Sequence, residues 1–67
     1  MNLYDHSLQG HEATLENAQN HARGIDWQSI EKTENPNITN VSYKDTINGI
    51  DIYYCYGTDT YLFTDAD

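Results

Sequence analysis

The sequence predicts an α+β fold, in which an N-terminal helix packs on a three-stranded antiparallel β-meander. Residues 11–23 are rich in helix formers, alternation of apolar and polar residues begins at Ile38, and an Asn-Gly pair separates two alternating runs. Because helix and strand patterns occupy separate halves of the chain, the expected architecture is a helix against a small sheet. We expect one domain at residues 1–67, with an N-terminal arm at 1–10, a helical region at 11–34 and the meander at 38–64. The arm could pack on the core, and a short turn or a helical lead-in are the alternatives for these ten residues.

An apolar stripe with helical spacing runs along the helical region. The stripe is narrow because two of its members are alanines, and a narrow stripe would let the helix axis lie close to a sheet. Gly24 interrupts the region and allows two interpretations. Either the helix kinks at Gly24, or Asp26 caps a second short helix that runs through Glu34. Asn35-Pro36-Asn37 then ends helical structure. The members of the stripe are Leu15, Ala18, Ala22 and Ile25.

Asn48-Gly49 predicts a β-hairpin with a two-residue loop. Both residues tolerate the positive φ of a type I′ turn, and alternating runs flank them. A loop of this length determines which residues face each other across the two strands. Asp45 is the one polar residue on the expected core face, so we expect it near an exposed rim or at a bulge. The predicted core-face pairs are Ile47–Ile50, Asp45–Ile52, Tyr43–Tyr54 and Val41–Tyr56.

Gly57-Thr58-Asp59 predicts a second turn, which leads into a third strand at residues 60–64. The length of this turn is ambiguous. With two central residues, Tyr61 and Phe63 face the core. With three, Leu62 faces the core and both aromatic rings turn outward, because successive strand residues point to opposite faces.

The composition is strongly acidic. Eleven aspartates and glutamates against three lysines and arginines give a net charge of −8, and no base follows Lys44. This charge disfavours DNA, RNA and anionic membranes as direct partners and favours a basic protein surface. A net charge of −8 also matches the phosphates along about 14 Å of duplex DNA, which is comparable to one side of a small domain.

Other sequence features bear on cellular location. The single cysteine, Cys55, excludes an internal disulfide and favours a reducing, intracellular setting. No apolar run approaches the roughly 18 residues that a membrane-spanning helix needs. The first ten residues, MNLYDHSLQG, lack the basic and apolar regions of a signal peptide. We therefore expect a cytoplasmic protein without a membrane segment.

No residue pattern in the chain predicts catalysis, a metal or a cofactor. Cys55 lies in a predicted strand of an acidic chain, where negative surroundings raise the pKa of a thiol. Glu12 and Glu16 lie one helical turn apart, which is typical of a solvated helix face. The histidines lack the i, i+4 spacing of a helical zinc site, and no CxxC motif is present. The histidines are His6, His11 and His21.

The candidate binding residues are carboxylates and tyrosines at outer positions. Tyr53 falls on the face opposite the predicted core face, and Tyr61 joins it if the second turn has three central residues. Tyrosine rings supply contact area at low entropy cost, and the carboxylates would pair with lysine or arginine of a partner. The predicted partner-binding residues are Glu12, Glu16, Asp45, Asp51, Tyr53, Asp59, Tyr61 and Asp65.

In its length, its base-free half at residues 45–67 and its pairing of a helix with a short sheet, the chain resembles a class of small acidic proteins from phages and mobile elements. These proteins inhibit bacterial defence and repair enzymes; anti-CRISPR proteins and the uracil-DNA glycosylase inhibitor are examples. The resemblance implies a non-enzymatic nucleic-acid mimic that occupies a basic, nucleic-acid-binding surface of a larger protein in the host cytoplasm. It is a resemblance of class without an aligned motif, so it assigns no site residues.

A self-associating structural module is the alternative function. The predicted third strand, residues 60–64, would leave an open sheet edge. Pairing two copies through the sheet would enlarge a small core. The partner would then be a second copy of the chain, and Tyr53 and Phe63 would be buried between the two copies.

Overall fold

The structure, a computed structural model, describes residues 1–65 and has the predicted α+β class. Asp67 of the acidic segment therefore lies outside the described residues. Five antiparallel strands form one sheet, and one helix packs against it. A single 3-10 turn precedes the helix and another follows it. The strands are β1 (Asn2–Leu8), β2 (Lys32–Glu34), β3 (Val41–Ile47), β4 (Ile50–Cys55) and β5 (Thr60–Asp65); the helix, α1, is Leu15–Gly24.

The predicted three-stranded meander corresponds to β3, β4 and β5, and it forms only part of the sheet. The strand order is β2-β1-β5-β4-β3. Residues 1–10, where we expected an arm, contain the strand β1, which pairs with both β2 and β5. Alternate residues of β1 face α1: Tyr4 and Leu8 are buried in the core, and His6 contacts His21 of the helix.

Helix α1 is shorter than the predicted helical region. It begins after Thr14, whose Oγ1 accepts a hydrogen bond of 3.1 Å from the Asn17 amide. This bond satisfies one of the amides that have no partner within the first turn of a helix. The helix ends at Gly24, so the expected kink does not occur.

The second interpretation of this region, a helix that starts at Asp26 and runs through Glu34, is also wrong. Only one 3-10 turn follows, at Trp27–Ser29, and the Asp26 side chain makes no capping hydrogen bond to it. Residues Lys32–Glu34 instead form the short edge strand β2. The indole Nε1 of Trp27 donates to the Ala22 carbonyl at 3.1 Å, which joins the 3-10 turn to the end of α1.

The predicted register of the first hairpin is confirmed as far as Asp45 and shifts beyond it. Ile47–Ile50 and Asp45–Ile52 pair as expected around Asn48-Gly49, whose φ angles of 53° and 82° fit the predicted turn. A bulge then adds one residue, Lys44, to β3. Asp45 is therefore half-buried beside a bulge on an edge strand, as expected. After the bulge the observed pairs are Tyr43–Tyr53, Ser42–Tyr54 and Val41–Cys55.

The bulge changes which tyrosines belong to the core. An extra residue reverses the faces of all strand positions before it, because side chains alternate along a strand. Tyr43 therefore points away from α1 and is 57% exposed, and Tyr56, beyond the last pair, is 60% exposed. The prediction that both belong to the core is wrong. Tyr54 remains packed against the core.

The second turn contains four residues, 56–59, because Cys55 pairs with Thr60. Two-residue and four-residue loops both have an even length, so they place the same residues of β5 on the core face. Tyr61 and Phe63 consequently face the core. Asp59 ends the turn with a φ of 55°, a left-handed conformation that aspartate adopts more readily than most residues.

The core lies between α1 and the central strands. Ala18 and Ala22 are the buried residues of the helix, and their small side chains allow it to lie close to the sheet. Leu15, at the start of the predicted stripe, is exposed. The buried hydrophobic residues are Tyr4, Leu8, Ala18, Ala22, Ile50, Ile52, Tyr61 and Phe63.

Residues 35–40 connect two parallel strands at opposite edges of the sheet, because β2 and β3 are separated by four antiparallel pairings. Thr60 and Thr64 alternate with the core residues of β5 and are nevertheless buried, at 5% and 0% exposure.

Within residues 1–65, no helix combines the length and the apolar character needed to span a membrane.

Candidate interaction surface

The outer face is the sheet face opposite α1, and a cluster of polar and aromatic side chains lies on it where β3 and β4 pair. We call this cluster, Tyr43, Thr46, Asp51 and Tyr53, the tyrosine–aspartate patch. Its members lie opposite each other in the register, as Tyr43–Tyr53 and Thr46–Asp51. Tyr53 and Asp51 also pair with Leu62 and Thr64 of β5, which places them on the face away from Phe63.

A directional chain of hydrogen bonds connects the patch. Thr46 Oγ1 donates to Asp51 Oδ1 at 2.6 Å. The Tyr43 hydroxyl lies 2.7 Å from the same Thr46 oxygen. A threonine hydroxyl has a single proton, so Tyr43 is the donor in this second bond. The Asp51 carboxylate is thereby held beside the two aromatic rings.

The two rings of the patch pack edge to face. The Tyr43 and Tyr53 centroids are 5.8 Å apart, and the ring planes meet at 70°, a geometry that aromatic pairs favour. Tyr53 is half-buried, whereas Tyr43 is largely exposed. The patch therefore presents a supported ring and a fixed carboxylate to solvent.

Two members of the patch, Asp51 and Tyr53, are among the predicted partner-binding residues, and the structure brings them together on one face. The other two, Thr46 and Tyr43, are not among the predicted residues. The available signal was Asp45, whose polar side chain on the expected core face already indicated a bulge. A bulge before Asp45 would have turned Tyr43 outward.

Asp45, another predicted binding residue, lies on the opposite side of the sheet from the patch. Gln19 Nε2 donates to Asp45 Oδ2 at 3.0 Å, and the Thr46 amide donates to Asp45 Oδ1 at 2.8 Å. The bond from Gln19 attaches α1 to β3, and the bond from the Thr46 amide lies within β3. The carboxylate thus has a structural role at the edge of the sheet.

Three predicted carboxylates are exposed at positions away from the patch. Glu12 lies in the 3-10 turn before α1. Glu16 lies in the first turn of α1, where a negative charge interacts favourably with the helix dipole. Asp59 lies in the turn between β4 and β5 and accepts a hydrogen bond from the Tyr54 hydroxyl. These three carboxylates therefore lie on separate elements of the fold.

The last two predicted residues lie in or beside the core. Tyr61 is only 9% exposed and packs against Tyr54, with ring centroids 5.1 Å apart, so the condition for its outward placement is not met. Asp65 accepts hydrogen bonds from Tyr4 and Asn2, each at 3.3 Å. It also forms an ion pair with Lys32 at 3.0 Å. Asp65 thus joins β5 to the two strands beyond it.

Two histidines form a hydrogen-bonded pair beneath α1. His6 Nε2 lies 2.9 Å from His21 Nδ1, and the rings stack at a centroid distance of 5.1 Å. Phe63 and Trp27 lie within 5.5 Å of the His6 ring. Burial, followed by the neighbouring His21, lowers the pKa of His6. Because the two facing nitrogens are already hydrogen-bonded to each other, the pair acts as a packing element between β1 and α1.

The environment of Cys55 differs from the expectation of a raised pKa. Hydrogen bonds from the Thr58 side chain and the Gly57 backbone lower the pKa of the thiol. Within residues 1–65, no group of three or more side chains is suited to hold a metal ion, and no pocket is present.

Most of the negative charge is displayed to solvent. Of the eleven acidic residues, all except Asp67 lie in the described part of the chain, and seven of these ten are exposed. Among the bases, Lys32 pairs with Asp65, and Arg23 hydrogen-bonds Asn20 of its own helix. The exposed acidic residues are Asp5, Glu12, Glu16, Asp26, Glu31, Glu34 and Asp59.

Comparison with protein-family models, curated proteins and solved structures finds no match for this chain.

Proposed function

We propose that this protein is a non-enzymatic, acidic inhibitor or adaptor that binds a basic surface of a larger protein. The observation that carries the proposal is the excess of exposed carboxylates, seven within residues 1–65, on a chain with only three lysines and arginines. Opposite charge attracts such a chain to a basic surface and speeds the encounter between the two proteins. Repulsion of phosphates disfavours direct binding to nucleic acid.

The target that suits this charge best is the nucleic-acid-binding surface of an enzyme or defence complex in the same cytoplasm. Such surfaces carry clustered lysine and arginine residues that ordinarily neutralise phosphates. Carboxylates on several sides of a small domain can occupy such a groove without reproducing the regular spacing of phosphates. The class resemblance to phage anti-defence proteins supports the same interpretation.

Affinity capture at two salt concentrations tests the proposal. The immobilised protein should retain nucleic-acid-binding proteins from a bacterial lysate at about 0.1 M salt and release them at about 1 M, where the screening length falls from roughly 10 to 3 Å. Duplex DNA added at low salt should displace the same proteins. Capture that is indifferent to both salt and DNA would overturn the proposal.

A charge-neutral variant supplies the matched control. Replacing three exposed carboxylates together (Glu12→Gln, Glu16→Gln and Asp59→Asn) should weaken capture. Three changes at exposed uncharged positions (Gln9→Ala, Gln28→Ala and Asn37→Ala) should leave it unchanged. Equal capture by the two variants would show that the carboxylates do not hold the complex.

Self-association through the sheet is the second candidate function. In the structure, the strand edge available for such pairing differs from the one that the sequence predicts. Strand β5 pairs on both sides, so residues 60–64 offer no open edge, and Phe63 lies in the core. The long edge strand is β3, where the Lys44 bulge and the bond from the Thr46 amide to Asp45 interrupt regular pairing. Sedimentation that gives the monomer mass over a wide concentration range would eliminate this candidate.

A further inference from the structure

We propose that the tyrosine–aspartate patch binds arginine side chains of a protein partner in preference to lysine side chains. The proposal rests on the proposed function and adds the location of the contact and the chemistry of the partner. It follows from three observations. The patch has an exposed ring, it has a fixed carboxylate beside that ring, and the chain's own lysines and arginine are occupied elsewhere.

The exposed ring gives a planar cation a surface on which to stack. Tyr43 is 57% exposed, and the edge-to-face contact with Tyr53 supports it from one side. A guanidinium group stacks on a tyrosine face through both cation–π attraction and planar contact. An ammonium group makes only the first of these contacts and is more strongly hydrated.

The carboxylate beside the ring is oriented before a partner arrives. Thr46 holds Asp51 through Oδ1, and within residues 1–65 the second oxygen, Oδ2, has no hydrogen-bond partner. Tyr43 donates to Thr46, so ring and carboxylate belong to one hydrogen-bonded unit. A guanidinium stacked on the ring can direct an N–H group to this oxygen. Pre-orientation reduces the entropy that such binding would otherwise cost.

The bases of the chain itself lie elsewhere. Lys44 Nζ is 5.8 Å from the Tyr54 ring, which is on the core face. Lys32 pairs with Asp65, and Arg23 bonds to Asn20. The charge of Asp51 is therefore complementary to a cation supplied by another protein. An arginine-bearing protein segment is the occupant that satisfies both the ring and the carboxylate.

The first experiment compares tetra-arginine and tetra-lysine peptides, both with blocked ends, on the unmodified protein. Amide chemical-shift titration should give a tighter dissociation constant for the arginine peptide by about 3- to 10-fold, the size expected for cation–π and planar contacts at a partly exposed site. The largest shifts should map to Tyr43, Thr46, Asp51 and Tyr53.

Variants then assign the preference to the patch. Tyr43→Leu removes the ring and keeps an apolar side chain, and Asp51→Asn removes the charge and keeps an oxygen for Thr46. Each should reduce the preference for arginine to about 2-fold or less. Tyr56→Leu and Asp59→Asn change another exposed tyrosine and another exposed carboxylate. These controls should keep the preference, and an unaltered amide spectrum away from the substitution shows that a variant is folded.

The outcomes separate the two proposals. Salt-sensitive binding of both peptides with equal affinity, or shifts located outside the patch, overturns the arginine site and leaves the acidic-binder function standing. No binding of either peptide at low salt overturns both. Sedimentation at a series of dilutions tests for association of two copies. If two copies associate through Tyr43, the patch belongs to self-association, and the arginine site is overturned.

Discussion

At the scale of single residues, two positions show how the sheet departs from a regular pattern. Lys44 is the extra residue that turns Tyr43 to the outer face and so creates the tyrosine–aspartate patch. Thr64 is fully buried, and its Oγ1 has no hydrogen-bond partner in the described chain. A buried hydroxyl without a partner loses its hydration and receives nothing in exchange.

Replacing Thr64 with valine should therefore stabilise the protein. Valine has nearly the same shape, removes the unpaired hydroxyl and suits a β-strand, so we expect a gain of about 1 kcal/mol in the free energy of unfolding. Urea denaturation followed by circular dichroism measures this difference. Thr64→Ser, which keeps the hydroxyl and removes a methyl group, should destabilise. A loss of stability in the valine variant would show that the hydroxyl is hydrogen-bonded in solution.

At the scale of elements, the close contact between α1 and the sheet depends on small helix residues. Ala18 and Ala22 face the sheet, and the histidine pair and Trp27 fill the space beside them. The helix is therefore attached through close contacts of small side chains and through the histidine pair. Large aliphatic side chains contribute little buried area to this interface.

Ala18→Leu should push α1 away from the sheet. The site is completely buried, and added methylene groups in a packed core cost about 1–3 kcal/mol in the free energy of unfolding. Asn20→Leu, at an exposed position of the same helix, should change stability by less than about 0.5 kcal/mol. Thermal denaturation of both variants gives the comparison. Equal stability would mean that the helix can shift without loss of packing.

The histidine pair predicts that the fold weakens in mild acid. The folded pKa of His6 lies below the ordinary value of 6.5, so the unfolded chain binds a proton at a higher pH than the folded chain does. The contribution of neutral His6 to the free energy of unfolding is fully present above pH 6.5 and is lost as the pH falls towards the folded pKa. Denaturation curves across this pH range give the free energy of unfolding as a function of pH. This dependence should be flatter for His6→Leu than for the unmodified protein. If the two proteins show the same dependence on pH, His6 is not its cause.

The elements that were predicted correctly are those whose signal is local. Asn48-Gly49 specifies its own turn, and the alanines mark the buried face of the helix. Strand β2 contains no apolar residue and forms only because β1 supplies hydrogen bonds, so its sequence carries no strand signal. Strand β1 does alternate at Tyr4, His6 and Leu8, but its central inward residue is polar. The patch depends on the bulge at Lys44; the polar Asp45 indicates a bulge nearby, but it does not specify on which side of Asp45 the extra residue lies.

At the scale of the whole molecule, negative charge acts on stability as well as on binding. Asp5 and Glu31 lie opposite each other, because the Asp5 amide donates to the Glu31 carbonyl at 2.8 Å, and both side chains are exposed. Like charges in this arrangement repel, and the net charge adds a general repulsion that favours expansion.

Asp5→Lys should stabilise the protein by about 0.5 kcal/mol, because it replaces a cross-strand repulsion with an attraction. The melting temperature of the unmodified protein should rise with sodium chloride, since salt screens the repulsion, and the variant should respond less. Differential scanning calorimetry at several salt concentrations measures both effects. A variant with the same melting temperature and salt response as the unmodified protein would show that this pair does not contribute.

The pairing of β1 with β5 also has a consequence for biosynthesis. Asn2 and Asp65 are neighbours in the sheet although they lie 63 positions apart in the chain. Both strands supply core residues, so a ribosome has to release the segment through Asp65 before the core can close. Until then, the edges of β1 and β4 are unpaired and available to chaperones or to other nascent chains. Long-range pairing of this kind slows folding, since loop closure precedes the contacts that reward it.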